Sequence, residues 1–473
     1  MNNRSKVLQN CFTILVAILT VAVCVLPMGS LPIWNGERPD HRNQYELMAE
    51  AILDGRISFD YGDEYTLSQL KNPYDPNERT ESGVYFHWDH AYYNGQYYMY
   101  FGIVPVFLAF LPYRILTGTA LTTYRATQFF VACAIAGIFV LFRLLNRRFF
   151  KKMPYGVYLC LSAAFSVMSV WYAAAEPALY CTAITAAIAL EIWSLYWFVR
   201  AVWDEQEENR QLLFAGIGAA LGALVFGCRP PIALANILVL PMLAVFLRRR
   251  RMSCKLLGKL LLAASPYVLV AAALMTYNYV RFDDPFEFGQ AYQLTVADQS
   301  QYSITLDAAM LARITKDTVR NFFEAGNRKD AFPYVAPGSV FFNFPLLLLC
   351  FGMFLPSVWK AMVREKLLPL GIGFFVTVLV ITAVDIMWTP YILERYRMDI
   401  YFLMGIWCFT VIGFLYPAGR ISRGVFSIGL AALSAVTVLA AYLFFAYRVG
   451  VYYPDKLKEL SEAFLFAQYI PIP

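Results

Sequence analysis

Charged residues are scarce in this chain of 473 residues: they make up 15% of it, and only three residues are histidine. Apolar residues reach 59%, whereas a soluble domain has about 45 to 50%. The scarcity of charge excludes an ordinary soluble domain and indicates a lipid environment. The formal charge of +6 does not indicate nucleic-acid binding, because Lys and Arg lie at the ends of apolar segments rather than on one face.

The sequence also lacks a disulfide framework and a nucleotide-binding motif. Seven of the nine cysteines lie inside apolar segments and the other two at segment ends, so no disulfide pattern follows. There is no P-loop or dinucleotide fingerprint, no repeat between the halves and no low-complexity tract. The apolar run at 11–31 is too long for a usual signal peptide and lacks a clear cleavage site, so we interpret it as a retained first helix.

Long apolar runs are what the chain does have. A helix needs about 20 apolar residues to cross the hydrocarbon core. Such runs lie near 10–30, 124–142, 155–173, 178–199, 211–228, 232–247, 256–276, 338–358, 367–387, 398–416 and 424–447. The sequence therefore predicts an all-α polytopic membrane protein with about 11 transmembrane helices.

The basic residues set the predicted orientation. If the apolar stretch 97–116 crossed the membrane, the basic cluster at 143–152 would lie outside, against the positive-inside rule. We therefore interpret 97–116 as an interfacial helix, which places the N-terminus in the cytoplasm and the C-terminus outside. The predicted parts are a first helix (1–30), a first external loop with interfacial helices (31–123), helices 2–7 (124–276), a second external loop (277–337), helices 8–11 (338–447) and an external tail (448–473).

The acidic residues are concentrated in the two external loops, with 12 of 33 at 37–89 and 8 at 283–330. Glu37 and Asp40 precede a helical pattern at 44–55, which is typical of a helix on the membrane surface. A carboxylate there can act as general base toward a hydroxyl. The alternative is that Asp40 caps the helix and Glu37 is solvated.

Aromatic residues surround Asp89 in the segment 85–102. We expect His87, Trp88, His90 and Tyr93 to contact a substrate, since such rings stack on sugar faces, although headgroup anchoring also explains the tyrosines. Asp89 lies between Trp88 and His90 and is a second candidate base.

The three histidines raise the question of a metal. His41, His87 and His90 all lie in the first loop and, with Asp89, form a hypothetical divalent-cation site. Their spacing matches no zinc signature, and hydrogen bonding or packing is the alternative. We predict no specific metal ligand and no certain cofactor.

Three arginines are candidates for binding the phosphate of a donor. Arg229 precedes two prolines at the outer end of the fifth span, where it can grip phosphate bidentately or merely snorkel. Arg395 lies at a helix entrance typical of a headgroup site, and its neighbour Glu394 is expected to contact the substrate. A Glu394–Arg397 ion pair would also explain these charges. Arg281 lies near the start of the second loop and is the third candidate. Glu191 lies inside the fourth span, where a carboxylate has either a function or a structural partner.

Together these features resemble the GT-C superfamily of membrane glycosyltransferases, which includes protein O-mannosyltransferases and the lipid A aminoarabinose transferase. The large first loop, its early acidic residues, the helix at 45–55 and the interfacial segment carry the resemblance. The segments 88–102, 281–289 and 394–396 are similar to bacterial glycosyltransferase-like members. The resemblance implies a polyprenyl-phosphate sugar donor, a glycan, lipid or protein acceptor, contact with membrane lipids, and a location in the bacterial plasma (inner) membrane.

The resemblance also implies a catalytic Asp or Glu early in the first loop, often an acidic pair four residues before a tyrosine. His41 and Arg42 hold those positions before Tyr45, so the base is expected to be Asp40, then Asp89, then Glu37. The implied reaction is direct, inverting transfer of the sugar to a hydroxyl on the external face. A transporter or flippase of lipid-linked saccharides, or a non-catalytic scaffold of envelope glycan assembly, would share the spans, aromatic residues and arginines.

Overall fold

The computed structural model describes residues 3–30, 44–204, 206–248, 250–301, 305–389, 393–418 and 422–468. Over these ranges the chain is all-α apart from one β-hairpin. Ten helices are long and apolar enough to cross a membrane, and an eleventh span is present if one bent pair of helices counts as a single crossing. The expectation of an all-α polytopic membrane protein with about 11 spans is therefore confirmed.

The β-hairpin lies between the third and fourth α-helices in the chain. The helices are α1 (Asn3–Val25), α2 (Gln44–Leu53), α3 (Pro76–Ser82), α4 (Leu111–Thr117), α5 (Thr123–Phe149), α6 (Tyr155–Ala175), α7 (Leu179–Trp203), α8 (Glu208–Phe226), α9 (Pro230–Ala233), α10 (Val239–Leu247), α11 (Cys254–Phe282), α12 (Ala308–Phe323), α13 (Val340–Asn343), α14 (Pro356–Arg364), α15 (Leu368–Trp388), α16 (Met398–Ala418), α17 (Arg423–Tyr452) and α18 (Pro454–Gln468). The strands are β1 (His90–Tyr93) and β2 (Gln96–Met99).

The helix α16 lies at the centre of the bundle. It is apolar on nearly all sides and packs against α5, α6 and α7, as expected for a helix buried among other helices. Phe142 of α5 stacks on Phe409 of α16 with ring centroids 4.0 Å apart. The helices α1 and α11 lie at the periphery, where their apolar side chains are exposed.

The eighth predicted span, 338–358, is broken rather than continuous. The short helix α13 is followed by a 3₁₀ helix (Pro345–Phe354), which meets α14 at an angle of 73°. Pro345 and Pro356 begin the second and third pieces. Because proline has no N–H and clashes with the preceding turn, it kinks or breaks an α-helix, and here each proline lies at a break.

The two long loops meet at the β-hairpin. β1 and β2 pair through a turn at Asn94 and Gly95, and both turn residues have positive φ, of 49° and 75°, as a two-residue hairpin requires. The second loop pairs with β1 through an isolated β-bridge between Ala91 and Gln293: Tyr92 N–H donates to Tyr292 O and Leu294 N–H donates to His90 O, each at 2.9 Å. Residues 90 and 294, far apart in sequence, are thereby fixed side by side.

The apolar stretch 97–116, predicted to be interfacial, contains short helical segments rather than a span. The apolar helix Val106–Thr117 is about 18 Å long at 1.5 Å per residue, too short for a core about 30 Å thick. It packs against α2, where Tyr45 stacks on Phe110 at 5.2 Å and Arg114 pairs with Glu50 at 3.0 Å.

Candidate functional site

Asp89 is held tightly at the point where the two loops meet. Its N–H donates to Leu294 O at 2.9 Å, its carbonyl accepts from Gln44 Nε2 at 3.2 Å, and the residue is only 4% exposed. Its φ of +57° lies in the left-handed region, which Asp tolerates better than most residues but which still costs free energy. The surrounding contacts therefore impose this orientation on the carboxylate.

The Asp89 carboxylate accepts hydrogen bonds from both loop and bundle. Gln293 Nε2 donates to Oδ1 at 2.9 Å, and the Tyr180 hydroxyl, in the first turn of α7, donates to Oδ2. The Arg395 guanidinium lies over the ring of the same tyrosine, with Cζ 4.1 Å from the ring centroid. We call Asp89, Tyr180, Gln293 and Arg395 the Tyr180 cluster. It joins a carboxylate and a cation through one aromatic side chain.

Arg395 is half-buried and has no carboxylate within ion-pair distance among the described residues. Burying a guanidinium without an opposite charge is costly, so such a group is normally paired or binds an anion. The cationic face of the cluster is therefore suited to a phosphate, which matches the planar fork of arginine.

Arg229 lies close to Arg395 but is paired. Its Nε donates to both oxygens of Asp399, at 2.9 and 2.7 Å, and its Nη2 lies 2.7 Å from Oδ2. Asp385 of α15 is also buried and close enough to interact with both charges. The Tyr396 ring lies 4.8 Å from the Arg229 guanidinium, so Tyr396 separates the two arginines. The structure thus places Arg229 and Arg395 at one end of the bundle, in different electrostatic settings.

Tyr100 connects the first loop to this charged group. Its hydroxyl lies close to Trp388, and Asp89, Tyr396 and Arg229 are its charged or polar neighbours. Burial raises the pKa of the Tyr100 phenol, so it stays a neutral hydrogen-bonding group.

A close backbone approach fixes the Tyr100 segment against the bundle. Val104 N–H donates to Gly227 O at 2.9 Å, and a Cβ on Gly102 would lie 2.3 Å from that oxygen. Glycine is therefore required at 102 for the loop to approach the turn that carries Arg229.

The two described histidines lie in a neighbouring aromatic group, apart from the Tyr180 cluster. His87 stacks on Tyr61 at 3.6 Å and its Nε2 lies 3.2 Å from Asp63. His90 Nε2 lies 2.8 Å from the Tyr61 hydroxyl. Burial lowers the pKa of His87, although Asp63 opposes the effect, so this histidine is neutral near pH 7.

The other predicted loop residues take different positions. Trp88 is half-buried and its carbonyl lies 3.0 Å from His90 Nδ1. Tyr93 contacts Tyr292 at 4.5 Å and donates to Asp283 at 3.3 Å. Arg281 is buried and donates to Met99 O and to Asn278, both at 2.7 Å. It therefore binds the end of β2 and is not part of the Tyr180 cluster.

Glu394 adjoins a second ion-paired group at the same end. Arg448 of α17 donates to Glu176 at 2.8 Å, and Glu394 has Arg448, Arg397 and Glu176 as charged neighbours. Arg397 instead donates to Asn321 of α12 at 2.9 Å.

Three predicted residues, Glu37, Asp40 and His41, lie outside the described residues. Within the described ranges no group of three or more His, Cys, Asp or Glu side chains is placed to hold a metal ion. His90 has a protein partner at each ring nitrogen, Tyr61 and the Trp88 carbonyl, and His87 has Asp63 at Nε2.

Sequence reasoning missed several residues of the site: Tyr180, Gln293, Asp385 and the pairing of Asp399. A signal existed for Asp385, because a carboxylate inside a predicted span indicates a function or a buried partner. The same argument was applied to Glu191 instead. That residue is fully buried and has no hydrogen-bond partner for either carboxylate oxygen among the described residues.

Comparisons with known proteins give one structural likeness. No family model and no curated protein sequence matches the chain. The fold is similar to the crystal structure of the oligosaccharyltransferase of Archaeoglobus fulgidus in the apo form, with 13% sequence identity and a TM-score of 0.42. The similarity covers 93% of this chain and 56% of that one, so the chain spans just over half the length of the protein it matches.

Proposed function

We propose that the chain is a membrane glycosyltransferase of the GT-C type. In this proposal it moves a sugar from a polyprenyl-phosphate donor to an acceptor hydroxyl, on the external face of a bacterial plasma membrane. The N-terminus is cytoplasmic and the C-terminus external, so the Tyr180 cluster faces outward. A glycan, lipid or protein supplies the hydroxyl.

One observation carries the proposal: Arg395, without a carboxylate partner in the described chain, lies over the ring of Tyr180, whose hydroxyl donates to Asp89. Transfer from a lipid phosphate needs an anion-binding cation and a base a few ångströms apart, at the level of the lipid headgroups. The cluster offers both groups, and α7, α16 and the hairpin fix them.

Each residue takes a defined part in the proposed reaction. Asp89 accepts the proton of the acceptor hydroxyl as the oxygen attacks the anomeric carbon. The bond between that carbon and the phosphate oxygen breaks, and the polyprenyl phosphate leaves with the electron pair. Arg395 stabilises the negative charge that develops on the phosphate. Direct displacement inverts the anomeric centre.

The remaining candidates take supporting parts. Arg229 is already paired with Asp399, so it offers the phosphate hydrogen-bond donors rather than net positive charge. The acceptor side of the site is lined by the aromatic residues of the first loop, His87, Trp88, His90 and Tyr93. Arg281 holds the end of β2, next to Tyr100. Asp40 and Glu37 are the alternative bases, and the experiment below distinguishes them from Asp89.

The test measures sugar transfer, and release of free polyprenyl phosphate, by purified protein in liposomes supplied with a panel of polyprenyl-phosphate sugars. Asp89→Asn is expected to lower turnover by about 10² to 10⁴, the usual contribution of a general base. Arg395→Ala is expected to lower it by about 10² to 10³, and Arg395→Lys by less, because a cation remains.

Matched controls make the result specific. Arg397→Ala removes the same charge two residues away, where the side chain contacts Asn321, and should retain most activity. Asp40→Asn and Glu37→Gln should each retain most activity if Asp89 is the base. Normal turnover in both Asp89→Asn and Arg395→Ala would contradict the site. Movement of an intact labelled donor across the bilayer without sugar transfer would favour the flippase alternative.

A further inference from the structure

A second polar site lies at the opposite end of α8 from Arg229. It is a cavity of about 310 Å³ between the start of α8, the turn after α10 and the start of α11. Four basic side chains line it (Arg250, Arg251, Lys255 and Lys259), together with one acidic side chain, Glu208. The cavity therefore carries a clear excess of positive charge.

Part of this basic lining is fixed by the protein. Lys259 Nζ donates to Glu208 at 2.8 Å and to Asn209 at 2.7 Å. Arg250 lies over the Phe246 ring at 3.7 Å and donates to Gln211. Arg251 and Lys255 have no ion-pair partner within the described part of the chain. The cavity thus combines cations that the protein holds in place with cations that have no ion-pair partner among the described residues.

The helix beside the cavity continues as an apolar surface. Lys255, Lys259, Leu262 and Leu269 follow helical spacing and so share one face of α11. Leu262 is 74% exposed and Leu269 is 67% exposed, and α11 lies at the periphery of the bundle. The face therefore presents cations at one end and open hydrocarbon along its length.

We propose that this cavity binds the phosphate of an anionic phospholipid, with the acyl chains lying along that face of α11. Basic pockets between transmembrane helices bind anionic headgroups in this way. A free phosphate ion would use the cations but not the apolar face, which favours the lipid as the occupant. The site is independent of the Tyr180 cluster and of the proposed glycosyl transfer.

The test uses the purified full chain in dodecyl maltoside, with dioleoyl phosphatidylglycerol, dioleoyl phosphatidylcholine or inorganic phosphate added separately. Native mass spectrometry and the thermal unfolding midpoint report binding. We expect phosphatidylglycerol to bind and to raise the midpoint, and phosphatidylcholine and inorganic phosphate at the same concentration to leave it unchanged. Binding of inorganic phosphate with the same midpoint shift would overturn the lipid assignment.

Variants locate the site. The triple variant Arg251→Gln, Lys255→Gln, Lys259→Gln should bind phosphatidylglycerol about a hundredfold more weakly, since each cation near a lipid surface contributes a several-fold effect. The control Arg148→Gln, Lys151→Gln, Lys152→Gln removes three cations from the same end of the bundle and should bind as the wild type does. If the first triple variant does not fold, Arg251→Gln alone should still weaken binding about fivefold. Equal losses in both triple variants, or unchanged binding in all cavity variants, would overturn the proposal.

Discussion

Tyr180 determines the arrangement of the candidate site, because its hydroxyl and its ring contact different residues. The hydroxyl donates to Asp89, and the ring lies under the Arg395 guanidinium. A phenylalanine would keep the ring and lose only the hydrogen bond. The position therefore offers a way to separate the orientation of the carboxylate from the placement of the cation.

We predict that Tyr180→Phe lowers turnover by about ten- to a hundredfold, since a hydrogen bond to a charged group contributes about 1.5 to 3 kcal/mol. Affinity for the polyprenyl-phosphate donor should change little, because the ring still supports Arg395. Arg395→Ala should differ by also weakening donor binding, in addition to its loss of turnover, because it removes the cation that contacts the phosphate. Steady-state kinetics with separate donor titrations test this. A Tyr180→Phe variant that loses donor affinity and keeps turnover would contradict the assigned roles.

Glu46 is the described loop carboxyl with the clearest consequence for pH dependence. Burial raises its pKa from 4.5 to about 7, although the Thr123 N–H at the start of α5 and the nearby Arg114 lower it. Between pH 4.5 and 7 the folded protein therefore binds more protons than the unfolded chain. It follows that stability falls as pH rises through this window.

We predict that Glu46→Gln removes this loss. The amide stays neutral and its oxygen can still accept from Thr123, so the variant should gain stability relative to the wild type as pH rises from 5 to 8, by at most about 3 kcal/mol. The measurement is the thermal unfolding midpoint in detergent as a function of pH. Glu50→Gln, in the same helix, is the control and should retain the pH dependence of the wild type. Identical pH profiles for Glu46→Gln and the wild type would rule out this role.

At the scale of elements, the hairpin segment reaches the bundle only because two backbones touch. A Cβ at Gly102 would lie 2.3 Å from Gly227 O and 2.5 Å from Cys228 O, and neither carbonyl can move without shifting the turn that holds Arg229. The contact therefore couples the position of the first loop to the arginine end of α8.

We predict that Gly102→Ala destabilises the protein by about 1 to 3 kcal/mol, as overpacking usually does, and lowers transferase turnover through displacement of Arg229. Gly156→Ala is the matched control, because a Cβ there meets no atom within 4 Å. Thermal unfolding and turnover are measured for both variants. Equal stability of the two would show that the close approach does not constrain the loop.

The sequence predicts an element well when the interactions that form it are between residues close in sequence, and poorly when they are far apart. Spans such as α5 or α17 are local apolar runs, so hydropathy predicts them well. Hydropathy did not predict the break in the eighth span. The segment stays apolar on average although Pro345 and Pro356 interrupt its helix. The site depends on partners distant in sequence: Arg229 meets Asp399 across 170 positions, and Gln293 meets Asp89 across 204. No local pattern specifies such pairs. Asp89, Arg229 and Arg395 could therefore be predicted as candidates from the sequence, but their contacts with Tyr180, Gln293 and Asp399 could not.

At the scale of the whole molecule, two polar ends are separated by the length of the bundle. α8 runs from the basic cavity at Glu208 to the turn that precedes Arg229, a length of about 28 Å for its 19 residues. One end carries the β-hairpin, the Tyr180 cluster and most loop carboxylates. The other carries the short basic connections. The positive-inside rule predicts that the basic end faces the cytoplasm.

We predict that the hairpin end is external, and cysteine labelling in intact cells tests this. In a background with Cys254, which is exposed near the basic cavity, replaced by serine, Tyr85→Cys should react with a membrane-impermeant maleimide, because Tyr85 is 67% exposed in the first loop. Lys152→Cys, in the connection between α5 and α6, should react only after the cells are permeabilised. The reverse pattern would place Asp89 and Arg395 on the cytoplasmic side. An external acceptor would then be unreachable, and the proposed transferase orientation would be wrong.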